Sequence, residues 1–79
     1  MNDNKNMKDT IEKIGHVLRM RRYDLRLSQD DLAQRAQMHR SYISGIENGS
    51  KNISIGMFLR MADALDIEPE KVLRYALKK

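Results

Sequence analysis

The sequence predicts an all-α fold of five short helices, and three observations carry that prediction. Apolar residues recur at helical spacing along most of the chain, as in Ile55, Phe58, Leu59, Ala62 and Leu65. No segment alternates apolar and polar residues with the period of a strand, and the sole proline, Pro69, falls where a helix would begin. Residues suited to helix caps precede the apolar runs, with room between runs for short turns only.

Taken in order, residues 1–8 read as a flexible N-terminal tail, because too little there is apolar to offset the entropy of ordering it. The remaining residues, 9–79, form a single domain. A first helix is expected from Asp9, with Glu12 completing an acidic capping box, to about Asp24, turning Ile11, Ile14, Val17 and Leu18 inward. "LSQDDL" is a strong start signal: Ser28 caps, Asp31 answers three residues on, and Leu27 and Leu32 hold the staple positions around the second helix. The third helix repeats the staple with Met38 and Ile43 around His39, a poor cap residue, and stops at Asn48-Gly49. Ser54 caps the fourth helix, "IGMFLRMADALD", whose apolar stripe includes Ile55 and Leu59. Pro69 opens a fifth helix of about ten residues, near 69–78, with Val72, Leu73, Ala76 and Leu77 apolar. So short a terminal helix needs a packed face, which makes it the place to expect a dimer contact.

At 79 residues the domain buries only about 60% of the surface its unfolded chain exposes, so a partner subunit is welcome. Cysteine is absent, which excludes disulfides and thiolate chemistry and suits a reducing cytoplasm. The opening "MNDNKNMKD" has no apolar run behind it, so no signal peptide is expected, and no stretch is apolar enough to span a membrane. Net charge is +4, and all of the excess lies in residues 19–60, where seven arginines and Lys51 face four acids. A cationic middle suits a polyanion. Two histidines without ligand spacing give no metal site, and no cofactor or catalytic group is expected. Asp30-Asp31 would pass for paired carboxylates, but acids in a first turn stabilise a helix start. Of the six methionines, Met38 and Met61 fit core positions, while Met20 and Met57 suit gaps between helices.

Two short helices joined by a tight turn inside a five-helix chain with a basic middle make a helix-turn-helix. The residues from Gln29 to Asn48, with Leu32, Ala33, Ala36, Met38, Ile43, Ile46 and Glu47-Asn48-Gly49, closely resemble the Cro/cI-like (XRE) family of DNA-binding regulators. That resemblance implies a lambda-repressor-like domain. Within the family, "RSYISGIE" followed by "SKNISI" looks most like the controller proteins of restriction–modification systems, which are small dimeric regulators. At the turn, Gln37 occupies a position that is glycine in many members.

A recognition helix needs a thin outer face to approach the floor of the major groove, and its first residues meet base edges. Arg40 is the candidate for bidentate contact with guanine, with Ser41 and Ser44 beside it and Gly45 keeping the face thin. Backbone contacts are expected from Gln29 at a helix start, from Arg35, and from Asn48, Lys51 and Asn52 in the following loop. By resemblance to the controllers, Tyr42 lies against the DNA backbone and Lys51 also reaches a base. By resemblance again, Arg22 and Glu47 form a structural ion pair that fixes the angle of the third helix. The remaining arginines, Arg21 among them, read as a solvated field. Dimer contacts are expected from the region of helices four and five, with Leu73, Tyr75 and Leu77 as candidates.

The function that follows is sequence-specific transcriptional regulation by a cytoplasmic homodimer on double-stranded DNA, at a near-palindromic operator. An activating role would add RNA polymerase as a partner, and no membrane is involved. The alternative is a protein-binding helix-turn-helix module such as an antitoxin component, for which exposed apolar residues on the last helix would serve equally.

Overall fold

A computed structural model of the chain describes residues 3–78, with five helices in order: α1 Asp3–Asp24, α2 Gln29–Ala36, α3 Arg40–Glu47, α4 Ile55–Ala64 and α5 Pro69–Leu77. Among the described residues there is no strand. The first helix begins at Asp3, earlier than the sequence reading of a tail over 1–8; Met1 and Asn2 lie outside the described residues. Once a helix is nucleated, each further residue gains a hydrogen bond for the dihedrals it fixes, so packing around Leu18 supports growth toward the N-terminus. Asp9 therefore lies inside the helix and does not cap it; it pairs with Lys13 one turn on, at 3.2 Å.

The other starts follow the sequence. Ser28 Oγ accepts the Asp31 N–H at 3.0 Å while the Asp31 carboxylate accepts the Ser28 N–H at 2.9 Å, closing the capping box. Ser54 Oγ accepts the Met57 N–H at 3.1 Å. His39 precedes α3 and makes no side-chain cap bond.

All four connections turn in the same way. Arg26, Gln37, Gly49 and Asp66 adopt left-handed conformations, with φ of 59°, 55°, 79° and 51°. Each donates its N–H to the carbonyl three residues back, and the next residue donates to the carbonyl five back, as in Gln37 to Gln34 and Met38 to Ala33. This is the Schellman motif, which satisfies two carbonyls of the finished helix. A left-handed non-glycine residue costs roughly 1–2 kcal/mol. Leu27, Met38 and Ile67, directly after the turns at Arg26, Gln37 and Asp66, offset that cost by packing on the core. Gly49 is followed by Ser50, and the chain runs on to Ser54 before α4 begins.

The core takes Leu18 from α1, Leu32 from α2, Ile43 and Ile46 from α3, Met61 and Leu65 from α4 and its end, and Val72 from α5, all essentially without exposure. α1 packs on α3 and α5, and α2 on α3 and α4. Gly15, buried in α1, lies hard against α3: a methyl group there would overlap the Ile46 carbonyl oxygen. Two expectations fail on α4, where Ile55 and Leu59 are 72% and 47% exposed. Its buried stripe is narrow, made of Phe58, Met61 and Ala62, and the flanking apolar positions face out. Met20 is partly exposed and lines a groove between α1 and α5.

Candidate nucleic-acid interface

Three residues, Gln37, Met38 and His39, separate α2 from α3. Ile43, Gly45, Ile46 and Glu47 of α3 are buried, whereas Arg40 and Ser41 are exposed and Tyr42 and Ser44 half-buried. The exposed side of α3 thus concentrates at its N-terminal end.

The C-terminal end is clamped. Arg22 reaches across from α1 and donates from Nε and Nη2 to the two oxygens of Glu47, at 2.7 and 2.8 Å, in a bidentate pair. Its Nη1 donates to the Leu27 carbonyl at 2.8 Å, so the same side chain also holds the α1–α2 turn. Gln29 Nε2 donates to Glu47 Oε1 at 3.1 Å. Arg19 Nε, buried and without a hydrogen-bond partner, lies 3.5 Å from that oxygen. Burial of Glu47 opposes its charge, but the hydrogen bonds from Arg22 and Gln29 and the charges of Arg22 and Arg19 outweigh it and hold its pKa below the ordinary value. The bond to Glu47 correspondingly raises that of Arg22. With the Glu47 carboxylate wholly buried against two arginines, the clamp carries one surplus positive charge.

The other candidate residues distribute unevenly. Arg40 extends into solvent, its Nε 3.4 Å from Asp30 Oδ1 in a pair whose side chains are 64% and 73% exposed. Ser41 is exposed beside it, and Arg35 is exposed on α2. Gln29 differs from expectation, since its amide nitrogen turns inward to Glu47. Gly45 differs more. It is buried, and the space a Cβ would fill is taken by the stem of Lys51, so it presents no open face. The Lys51 ammonium stands 5.1 Å from the centre of the Tyr42 ring. Asn48 Oδ1 accepts the Ser50 N–H at 2.9 Å, and Asn52 is exposed further along the loop.

Sequence reasoning missed Gly15 and misjudged Arg21. Arg21 donates from Nε and Nη2 to the Leu65 and Asp66 carbonyls, both at 2.9 Å, and so caps the end of α4. On α5, Leu73 and Leu77 lie one turn apart and are exposed. Tyr75, also exposed, lines a groove of about 550 Å³ with His16, Val17 and Met20 of α1, on a different side of the helix. Among the described residues there is no cluster able to hold a metal ion and no helix long and apolar enough to cross a membrane.

Two short helices joined by a three-residue turn, the second locked at one end and bare at the other, define a helix-turn-helix protein. The Helix-turn-helix family model matches residues 17–72, and the chain belongs to that family, in its Cro/cI-like (XRE) branch. It is similar to the control protein C.BamHI of Bacillus amyloliquefaciens, 37% identical over 49 residues that make up 62% of this chain and 60% of that one. The match therefore spans about three fifths of the relative's length. Among solved structures the chain is similar to the restriction-modification controller protein C.AhdI from Aeromonas hydrophila, with a TM-score of 0.76 and 42% identity over 78% of this chain and 94% of that one. It is also similar to C.Esp1396I bound to a 25 base pair operator site, with a TM-score of 0.79 and 27% identity over 89% and 96% of the two chains.

Proposed function

We propose that this chain is a sequence-specific transcription regulator, not an enzyme, that acts in the cytoplasm as a homodimer on a near-palindromic operator and controls a restriction–modification system. The observation that carries this reading is the pose of α3: its Glu47 end is locked into the domain while Arg40 and Ser41 stand clear at the other end. In this reading Arg40 contacts guanine, Ser41 and Ser44 lie in the groove, and Arg35, Tyr42, Asn48, Lys51 and Asn52 follow the phosphates, with Lys51 also reaching a base. Gln29 contributes its backbone N–H at the start of α2 and, through its amide, steadies Glu47. The C.Esp1396I complex with operator DNA supports the assignment.

A dimer suits the size of one reading head, since doubling the contact approximately doubles the specific free energy. Half-sites roughly one helical turn, about 10 bp, apart are expected. The exposed Leu73 and Leu77 of α5, with Ile55 and Leu59 of α4, form its proposed contact, and Tyr75 is left outside it. Leu73→Glu should shift the sedimentation coefficient to that of a monomer; unchanged sedimentation would remove Leu73 from the interface. An activating role would add contact with RNA polymerase.

Selection from a randomised duplex pool, run for the wild type and Arg40→Ala at two salt concentrations, tests the reading. Enrichment of a palindrome with a guanine that the variant ceases to select supports it. If nothing enriches and binding by both merely fades with salt, the basic middle is an unspecific electrostatic surface and a protein partner becomes the better reading.

A further inference from the structure

We propose that Gly45 and Tyr42 are positioning residues for Lys51, and that the three act as one unit that sets where the loop cation meets DNA. The inference rests on the DNA-binding reading of α3. A lysine in a loop is ordinarily a mobile point charge on a flexible stem. Here both its backbone and its tip are held.

The Gly45 carbonyl gathers the loop. It accepts the Ser50 N–H at 2.9 Å, the Lys51 N–H at 3.2 Å and the Ser50 hydroxyl at 3.3 Å. The missing side chain of the same glycine then admits the lysine stem. A Cβ at position 45 would lie 2.7 Å from Lys51 Cδ and 2.8 Å from Cγ, closer than carbon atoms approach, and a tight 3.1 Å from Cε, so the lysine stem would have to move aside. Beyond the stem, the ammonium stands 5.1 Å from the centre of the Tyr42 ring, within the range of a cation–π contact. Tyr42 is itself packed against the core. Glycine inside a helix is otherwise a destabilising choice, and the path it leaves for Lys51 gives this one a purpose.

Through this unit the cation belongs mechanically to α3 instead of to the loop. Arg40 and Lys51 are then presented by one rigid body. A released Lys51 would keep its charge and still displace counterions, so positioning affects discrimination and leaves the electrostatic part of binding intact.

The test compares wild type, Gly45→Ala, Lys51→Ala and the double variant on the selected operator and on a scrambled duplex over a range of salt concentrations. Gly45→Ala should weaken operator binding by about tenfold, the scale of one lost specific contact, while scrambled-duplex binding and the salt slope stay near wild type. Lys51→Ala should flatten the log–log salt slope by about 0.9, one phosphate's worth. In the Lys51→Ala background, Gly45→Ala should cost nothing more. Fully additive losses, or a Gly45→Ala protein that binds as wild type does, would overturn the proposal.

Proton NMR of the DNA-free protein gives a second arm. The Lys51 side-chain methylene resonances should be shifted upfield by the Tyr42 ring and return to ordinary positions in Tyr42→Leu and in Gly45→Ala. Unshifted resonances in the wild type overturn the proposal by themselves. A wild type that selects no duplex instead overturns the DNA-binding reading, and the NMR arm still decides whether the unit exists.

Discussion

The two ends of α3, a helix of only eight residues, are built on opposite terms. At Glu47 the carboxylate is buried and held from several sides: two arginines and a glutamine converge on it, and the neighbouring Ile46 carbonyl touches α1 at Gly15. At Arg40 the side chain is mostly in water, with a single loose partner in Asp30. The first end sets a direction, and the second is left free to meet something outside the molecule. A buried ion pair adds little net stability over an apolar substitute, which suits a device whose role is angle.

The sharpest way to break this comparison is Gly15→Ala. The obstacle is a peptide carbonyl, so no side chain can swing aside. A domain of this size holds about 5 kcal/mol, and the cooperative thermal transition should be lost or fall well below that of the wild type. A melting curve like that of the wild type would show that the α1–α3 contact can slide.

Glu47→Ala comes next. It leaves two arginines facing an empty site and should cost about 3–5 kcal/mol by urea unfolding. The same clamp should respond to acid. Because the folded-state pKa of Glu47 lies below its unfolded value, its stabilising contribution is complete above the ordinary glutamate pKa of about 4.3. It is lost as pH falls through the depressed folded value. The acid limb of the unfolding profile should therefore flatten in Glu47→Ala, and an unchanged limb would mean other carboxylates dominate.

At the open end the order of effects reverses. Arg40→Ala should weaken operator binding by about 1–3 kcal/mol while changing unfolding free energy by no more than about 0.5 kcal/mol. A larger stability loss would blur the division between the two ends. The smallest expected effect is that of Asp30→Asn, since exposed pairs contribute about 0–1 kcal/mol. Removing that carboxylate should leave stability unchanged and tighten DNA binding slightly at low salt.

Much of the closed end was legible in the sequence because its signals are local or shared with the family. The Ser28–Asp31 box, the Ser54 cap and the glycine stop at Gly49 each rest on neighbours within a few residues, and the Arg22–Glu47 pair follows from the resemblance. What escaped depends on distant parts of the chain. Nothing near Gly15 announces that another helix's backbone will press on it. Arg21 reads as one of several exposed arginines until α4 ends 44 residues later in front of its guanidinium. Gly45 was assigned to an outer face from helix periodicity, but the loop that follows folds back and covers it. Periodicity also placed Ile55 and Leu59 in the core, where the narrow buried stripe of α4 has no room for them.

The repeated turn carries a consequence for how such a protein can change over time. Arginine, glutamine, glycine and aspartate occupy one backbone conformation at the four connections, and none of the bonds that hold the turns comes from the side chain of the left-handed residue itself. The fold is therefore nearly indifferent to the charge carried there. Exchanging Arg26 or Asp66 for a residue of opposite sign would alter the surface field while the chain keeps its course. If the chain regulates DNA as proposed, a lineage can thus retune how strongly the domain clings to bulk chromosomal DNA, one charge at a time, without disturbing α3.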